Sequence, residues 1–335
     1  MANLSIGDLA LTFNNRHHNL RLKQKLAQLG EELASGQKAD ISTIAGGDFA
    51  PVVGIERALK ANAAFSTTTA EAGDFARTTQ AALGSVQAYS AELGTTLLAT
   101  SPVDHPATIM AATADTKAKF QAVVALFNTQ SAGRHVFSGT ATDRPALADS
   151  QTILGALQSA VAGQTTAAGV EAAVNTWFDT PGGGFDTLAY NGSTTTLAAF
   201  RLSDTDSVQP GVTAADPEVR SVLKAFAVAA LVGTGTLAGN ATEQAALTQR
   251  AGEMLLSADG KLSYLRANVG TAEALIDEVS TRNTAEKSAL EIARNKITAV
   301  DPYRIATDLE AVQTQLETLY RLTVRMSRLS LAEYL

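Results

Sequence analysis

Four histidines, at 17, 18, 105 and 135, are the residues of this chain best suited to hold a metal or move a proton near neutral pH. None has a second histidine or a carboxylate at metal-ligand spacing, and HHNL at 17–20 is not a zinc helix motif. His17 and His18 read as solvated side chains on a polar helix face. Cysteine is absent, which removes disulfides, thiolate zinc sites and thiol catalysis together. Serine, histidine and aspartate all occur, but no GxSxG elbow anchors a hydrolase triad. The stretch AFAVAALVGTGTLAG sets an apolar run before Gly233, Gly235 and Gly239, with Glu253 further on. A dinucleotide fingerprint needs its third glycine where Ala238 stands, and no βαβ pattern surrounds this one, so a helix-to-helix loop is the better account. Asn191-Gly192-Ser193 and Asn240-Ala241-Thr242 match the glycosylation triplet, but NGS reads more simply as a turn. No catalytic residue, cofactor or metal is expected.

The chemistry with the clearest spacing is apolar. Ile305, Leu309, Val312, Leu316, Leu319, Thr323 and Met326 alternate steps of four and three, a sustained heptad seam with one polar member before Met326. DPYR at 301–304 opens this segment, with Asp301 as N-cap and Pro302 in the first helical position. The pattern runs on through RLSLAEYL, where Leu329, Leu331 and Leu335 carry it to the last residue. At the other end Ile6, Leu9 and Phe13, then Leu22, Leu26, Leu29 and Leu33, fall at helical spacings before Ser35-Gly36 breaks the pattern. Such seams must be covered, either by each other or by another molecule.

The elements that position these seams are mostly helical. Helix is predicted over about 52–100, 107–132, 217–231 and from about 242 to the end. Between 139 and 216 the composition turns to Gly, Thr, Ser and Asp; FDTLAY and AAFRLS read there as strands around a turn. The predicted fold is mainly α, a long helical-bundle or coiled-coil rod built from both chain ends, with a small inserted α+β domain. The expected division is 1–40 with 295–335, 41–138 with 217–294, and the insertion at 139–216. A net charge of -7 with no basic stripe gives nucleic acid no electrostatic footing. AFAVAALV, the longest strongly apolar run, is far short of the roughly 20 residues of a membrane span. The amino end carries no secretory signal, so the residues by themselves predict a soluble, cytoplasmic protein.

RIATDLEAVQTQLETLYRLTVRMSRLSLAEYL, from 304 to the end, resembles the carboxy-terminal region of the bacterial flagellin superfamily. LRLKQKLAQLGEELASG at 20–36 is similar to the first helix of that family, which closes on Leu-x-Ser-Gly, and IERALKANAAFSTTTAEAGDFARTTQAALGSVQAYSAEL at 55–93 is similar to the helices that follow. GRHVFSGTATDRPAL at 133–147 resembles the segment that precedes the insertion in the hook–filament junction branch, the third hook-associated proteins. The turn GQKADISTIAGGDFAP departs from the flagellin pattern, keeping only Asp48, Ala50 and Pro51 of it, which tells against a major flagellin.

The resemblance implies a non-enzymatic structural subunit, exported unfolded through the flagellar type III apparatus with an export chaperone and no cleaved signal. That reverses the cytoplasmic expectation and places the protein outside the cell. Its implied partners are copies of itself, the other junction protein, and flagellin or hook neighbours, with no nucleic acid and no membrane. The resemblance makes Ile6, Leu9, Phe13, Leu22, Leu26, Leu29 and Leu33, with Leu309, Val312, Leu316, Leu319, Leu329, Leu331 and Leu335, the expected assembly interface. A filament flagellin with a reduced outer domain is the alternative.

Overall fold

A computed structural model of the chain describes residues 6–39, 49–100 and 106–332. Among these the helices are α1 (Ile6–Ser35), α2 (Ala50–Leu98), α3 (Pro106–Thr113), α4 (Thr116–Phe127), α5 (Ser150–Ala160), α6 (Ala167–Asp179), α7 (Pro217–Gly233), α8 (Ala241–Thr298) and α9 (Pro302–Ala332). Strand is confined to two short antiparallel hairpins, β1 (Gln130–Ser131) with β2 (Arg134–His135), and β3 (Phe200–Arg201) with β4 (Ser207–Val208). The fold is mainly α, as the periodicity requires. The chain divides into two compact units, Met1–Ala63 with Ala285–Leu335, and Ala64–Thr284.

The larger unit is built around α7. Every residue from Ala225 to Val232 is buried, so the apolar run of the sequence is a core helix, apolar on all sides because α3, α4, α5 and α6 pack around it. Within this unit α2 and α8 run antiparallel. Ser90 donates to the Leu255 carbonyl at 2.7 Å, the Gln87 amide donates to Asp259 at 2.9 Å, and Gln249 donates to the Thr100 carbonyl at 3.2 Å. Each contact satisfies a polar group in a helix interface and fixes its register.

The helix expected over 107–132 is two helices and a hairpin. Gly233, at the end of α7, lies so close to the Thr113 carbonyl and the Thr116 hydroxyl that a Cβ there would stand 2.7 and 2.2 Å from them. The chain breaks at Ala114 and Asp115 beside that contact. The helix then ends at Phe127, and Ala132 (φ 49°) with Gly133 (φ 77°) makes a two-residue turn with both residues left-handed, the geometry that matches strand twist. His135 follows, nearly buried; Gln130 donates to its Nε2 and its Nδ1–H donates to the Asn128 carbonyl, each at 2.8 Å.

The FSG motif closes this region. Phe137 is fully buried edge-on to Phe127, with ring centroids 5.1 Å apart. The Ser138 hydroxyl donates to the Arg144 carbonyl at 2.8 Å. Gly139 is left-handed (φ 59°), and a Cβ there would stand 2.4 and 2.5 Å from the Ser193 and Thr195 carbonyls. Only glycine fits this position.

The 139–216 segment has less strand than its composition suggests. FDTLAY is not a strand: Phe185–Ala189 forms a single π-helical turn, with Tyr190 N–H donating to the Phe185 carbonyl at 2.8 Å. Phe185 and Ala189, one turn apart, face inward, and Phe185 packs between Phe178 and Tyr190. AAFRLS does supply a strand, but β3 pairs with β4 across the Ser203–Asp206 turn rather than across NGS. The core is continuous from this segment into α2, α4, α7 and α8. Ion pairs reinforce it: Lys224 with Asp179 at 2.6 Å, Arg220 with Asp186 at 3.2 Å, and Arg250 with Glu171.

Candidate assembly surface

The smaller unit brings the two predicted seams together. Asp301 caps α9 by accepting from the Tyr303 N–H at 3.0 Å, with Pro302 at the first position. Downstream, Ile305, Val312 and Leu316 are buried, and Leu309 is half-buried against them. They meet Leu29, which is 1 % exposed, and Leu22 and Leu26, which pack at the edge. Residues at steps of three and four share one face of a helix, so each seam is continuous.

The joint between the seams is polar and backbone-made. Gly36, left-handed at φ 70°, ends α1. Gln37 and Ala299 then form an antiparallel bridge: Lys38 N–H donates to the Thr298 carbonyl at 3.0 Å and Val300 N–H to the Gly36 carbonyl at 3.1 Å. Buried Glu32 accepts from the Gln28 amide at 2.8 Å and from the Ala39 N–H at 3.1 Å. Further along, hydrogen bonds from Asn19 and Lys23 of α1 hold the Tyr320 phenol of α9 below its ordinary pKa of 10.0. These contacts set the register of α1 on α9.

The predicted interface residues fall into groups. Leu22, Leu26, Leu29, Leu309, Val312 and Leu316 cover one another within the chain, and Leu319 is half-buried. Phe13 is 68 % exposed and Leu33 41 %. Ile6, Leu9, Leu329 and Leu331 lie in the outer turns of α1 and α9; their side chains, and all of Leu335, fall outside the described residues. The structure adds exposed apolar residues that the seam reading missed: Leu20 (61 %) on α1, and Tyr320, Leu322 and Val324 on α9, each about half exposed. Phe13 and Leu20 are one heptad apart, and about half a turn round α1 from the Leu22–Leu26–Leu29 seam. That spacing was the available signal. Helix α1 therefore has two apolar faces, one covered by α9 and one open.

Among the described residues no group of three histidines or carboxylates is placed to hold a metal. No described helix is long and apolar enough to cross a membrane. An open cleft of about 280 Å³ lies between α7 and α8, lined by Ser221, Lys224, Glu253, Ser257 and Lys261, and Lys224 is already paired with Asp179. The Gly233–Gly239 segment is the α7–α8 connection, with Gly235 and Leu237 left-handed.

Known proteins resemble this chain in its carboxy-terminal part and in its fold. Residues 253–335 match the family model of the bacterial flagellin C-terminal helical region. No curated protein sequence matches the chain. Among solved structures, one described as a flagellar hook-associated protein from Vibrio parahaemolyticus shares the fold at a TM-score of 0.53 and 13 % identity, over 73 % of this chain and 94 % of the other. The carboxy-terminal residues 253–335 are thus similar to the helical region that closes bacterial flagellins, and they sit on a fold shared with that structure.

Proposed function

We propose that this protein is the subunit that joins hook to filament in the bacterial flagellum, assembling by helical self-association through α1 and α9. A structural role in the flagellum is supported by the flagellin match over 253–335; the junction role is the finer step. It is supported by the GRHVFSGTATDRPAL segment, by the small 139–216 insertion, and by the fold shared with a protein described as hook-associated. The observation that carries self-association is the double-faced α1. Its Leu29 face is closed by α9, while Phe13 and Leu20 on the opposite face stay in water. Exposed apolar residues arranged as a stripe mark an interaction site.

Assembly then proceeds without a bond-making step. Covering the open faces removes apolar surface from water at about 25 cal/mol per Å², which offsets the ordering of the helix ends. On this reading 1–40 and 295–335 form the inner part of the assembled structure, 41–138 with 217–294 surround it, and 139–216 faces solvent. The protein works outside the cell after type III export, beside the other junction protein and flagellin or hook neighbours. Immunogold labelling decides between the two flagellar roles. A single short zone next to the hook is the expected result; labelling along the whole filament makes the chain a filament flagellin with a reduced outer domain.

A further inference from the structure

The β3–β4 hairpin lies at the edge of the larger unit and touches both long helices there. Its buried residues are Phe200, Leu202 and Val208. Phe200 packs on Phe75 of α2, centroids 5.8 Å apart, and the Arg201 guanidinium lies over the Phe65 ring at 6.0 Å. On the other side, Asn283 of α8 is 3 % exposed and donates to the Leu202 carbonyl at 3.0 Å. The Arg282 guanidinium, next along the helix, pairs with Asp206. That carboxylate is itself held in place by the Ser203 hydroxyl at 2.7 Å, while its own N–H donates to the Ser203 oxygen at 2.9 Å. Phe65 and Asn283 lie just inside the two ends of the Ala64–Thr284 unit.

What happens to the helices at that point gives the hairpin its meaning. Helix α2 is 49 residues long and α8 is 58, and neither is interrupted there. Inside the unit they share a continuous apolar core through Phe75, Ala76, Ile276 and Val279. From Thr284 to Ile297 no residue of α8 is buried, and from Val53 to Phe65 of α2 only Asn62 is. Asn62 there donates to Glu286 at 3.5 Å, and Arg294 lies 3.7 Å from Glu56. Apolar burial of the pair is therefore interrupted beyond the hairpin, over these turns.

We propose that the β3–β4 hairpin is a clasp that fixes where the firmly held part of the α2–α8 pair ends, so that opening of the pair does not propagate inward past Phe65 and Asn283. Beyond it both helices run on for about four turns with little apolar burial, and segments with few buried contacts open most readily. The clasp works through one buried amide-to-carbonyl bond and one ion pair, both anchored to consecutive residues of α8.

Hydrogen exchange by mass spectrometry on the full chain tests this. Asp206→Asn removes the ion pair from an accessible site and leaves the core intact, while Asn283→Ala removes the buried bond. Each is expected to speed exchange about tenfold over 64–75, 200–208 and 276–284, as losing a charge-assisted or buried hydrogen bond does, while α4 and α7 stay unchanged. Asp204→Asn is the control, because among the described residues the Asp204 carboxylate pairs with Arg201 of its own turn and with neither long helix. Acceleration spread evenly over 64–284, or none in Asp206→Asn, overturns the proposal. If Asn283→Ala fails to fold, Asp206→Asn alone decides.

Discussion

Substituting Leu29 and Phe13 separately tests whether α1 has two faces with different tasks. Leu29 is 1 % exposed and sits among Ile305, Val312 and Leu316. Leu29→Ala removes roughly three carbons from that contact, about 2.4 kcal/mol at about 0.8 per methylene, and an uncollapsed cavity raises the loss towards 3 kcal/mol. Val300 completes the small group of buried residues in this cluster, so a loss of that size is a large share of what holds α1 on α9. Phe13, at 68 % exposed, has little burial to lose, and Phe13→Ala is expected to change monomer stability by less than about 0.5 kcal/mol.

Amide exchange over 22–36 and 300–319 in the soluble chain reads the first quantity. Incorporation into flagella of cells carrying only the variant reads the second. Leu29→Ala should lose protection across both segments while Ala64–Thr284 is unaffected, since it belongs to the other unit. Phe13→Ala should keep its protection and lose incorporation. Equal protection losses in the two variants would refute the two-face argument, as would wild-type amides around Leu29 that exchange like those of a free peptide.

Ala132→Gly should stabilise the larger unit by about 1 kcal/mol, because a left-handed residue with a Cβ is strained there; a denaturant midpoint measures it. Gly139→Ala should destabilise by more than about 2 kcal/mol, adding a backbone clash to that strain, and thermal unfolding shows whether the FSG glycine is as indispensable as its contacts require. Burial, reinforced by nearby Asp216, pushes the Tyr190 phenol up to about 12, above its ordinary 10.0. A raised value means that its stabilising effect is complete below pH 10 and disappears as pH rises through 12; alkaline unfolding of Tyr190→Phe should lack that component. Deleting 326–335 should leave a soluble chain that cannot enter the flagellum, and normal motility of cells carrying only that chain contradicts it.

Long, strongly periodic segments were legible in the sequence because burial in a helix leaves a repeat. DPYR marked the start of α9 to the residue, and the apolar run 225–232 showed a helix surrounded on all sides. Short segments were not legible, for a physical reason. FDTLAY spans fewer residues than two helical turns, so strand and helix patterns overlap in it; its buried pair, Phe185 and Ala189, has helical spacing that only the packed structure shows. The break at Asp115 and the turn at Ala132 were invisible because nothing local marks them: the first lies beside Gly233, far off in the sequence, and the second is a left-handed alanine that no local preference favours. The same distinction governs the interface. A heptad records that a residue is to be covered, and says nothing of which molecule covers it. Leu22, Leu26 and Leu29 differ from Phe13 and Leu20 in their angle around α1, and it is α9, bridged to it at Gln37 and Ala299, that covers the first set and leaves the second exposed. Shifting that register by one residue would turn the α9 seam by about 100° and expose Val312 and Leu316, so on the proposed reading the bridge bears on assembly although it carries no apolar side chain into the seam.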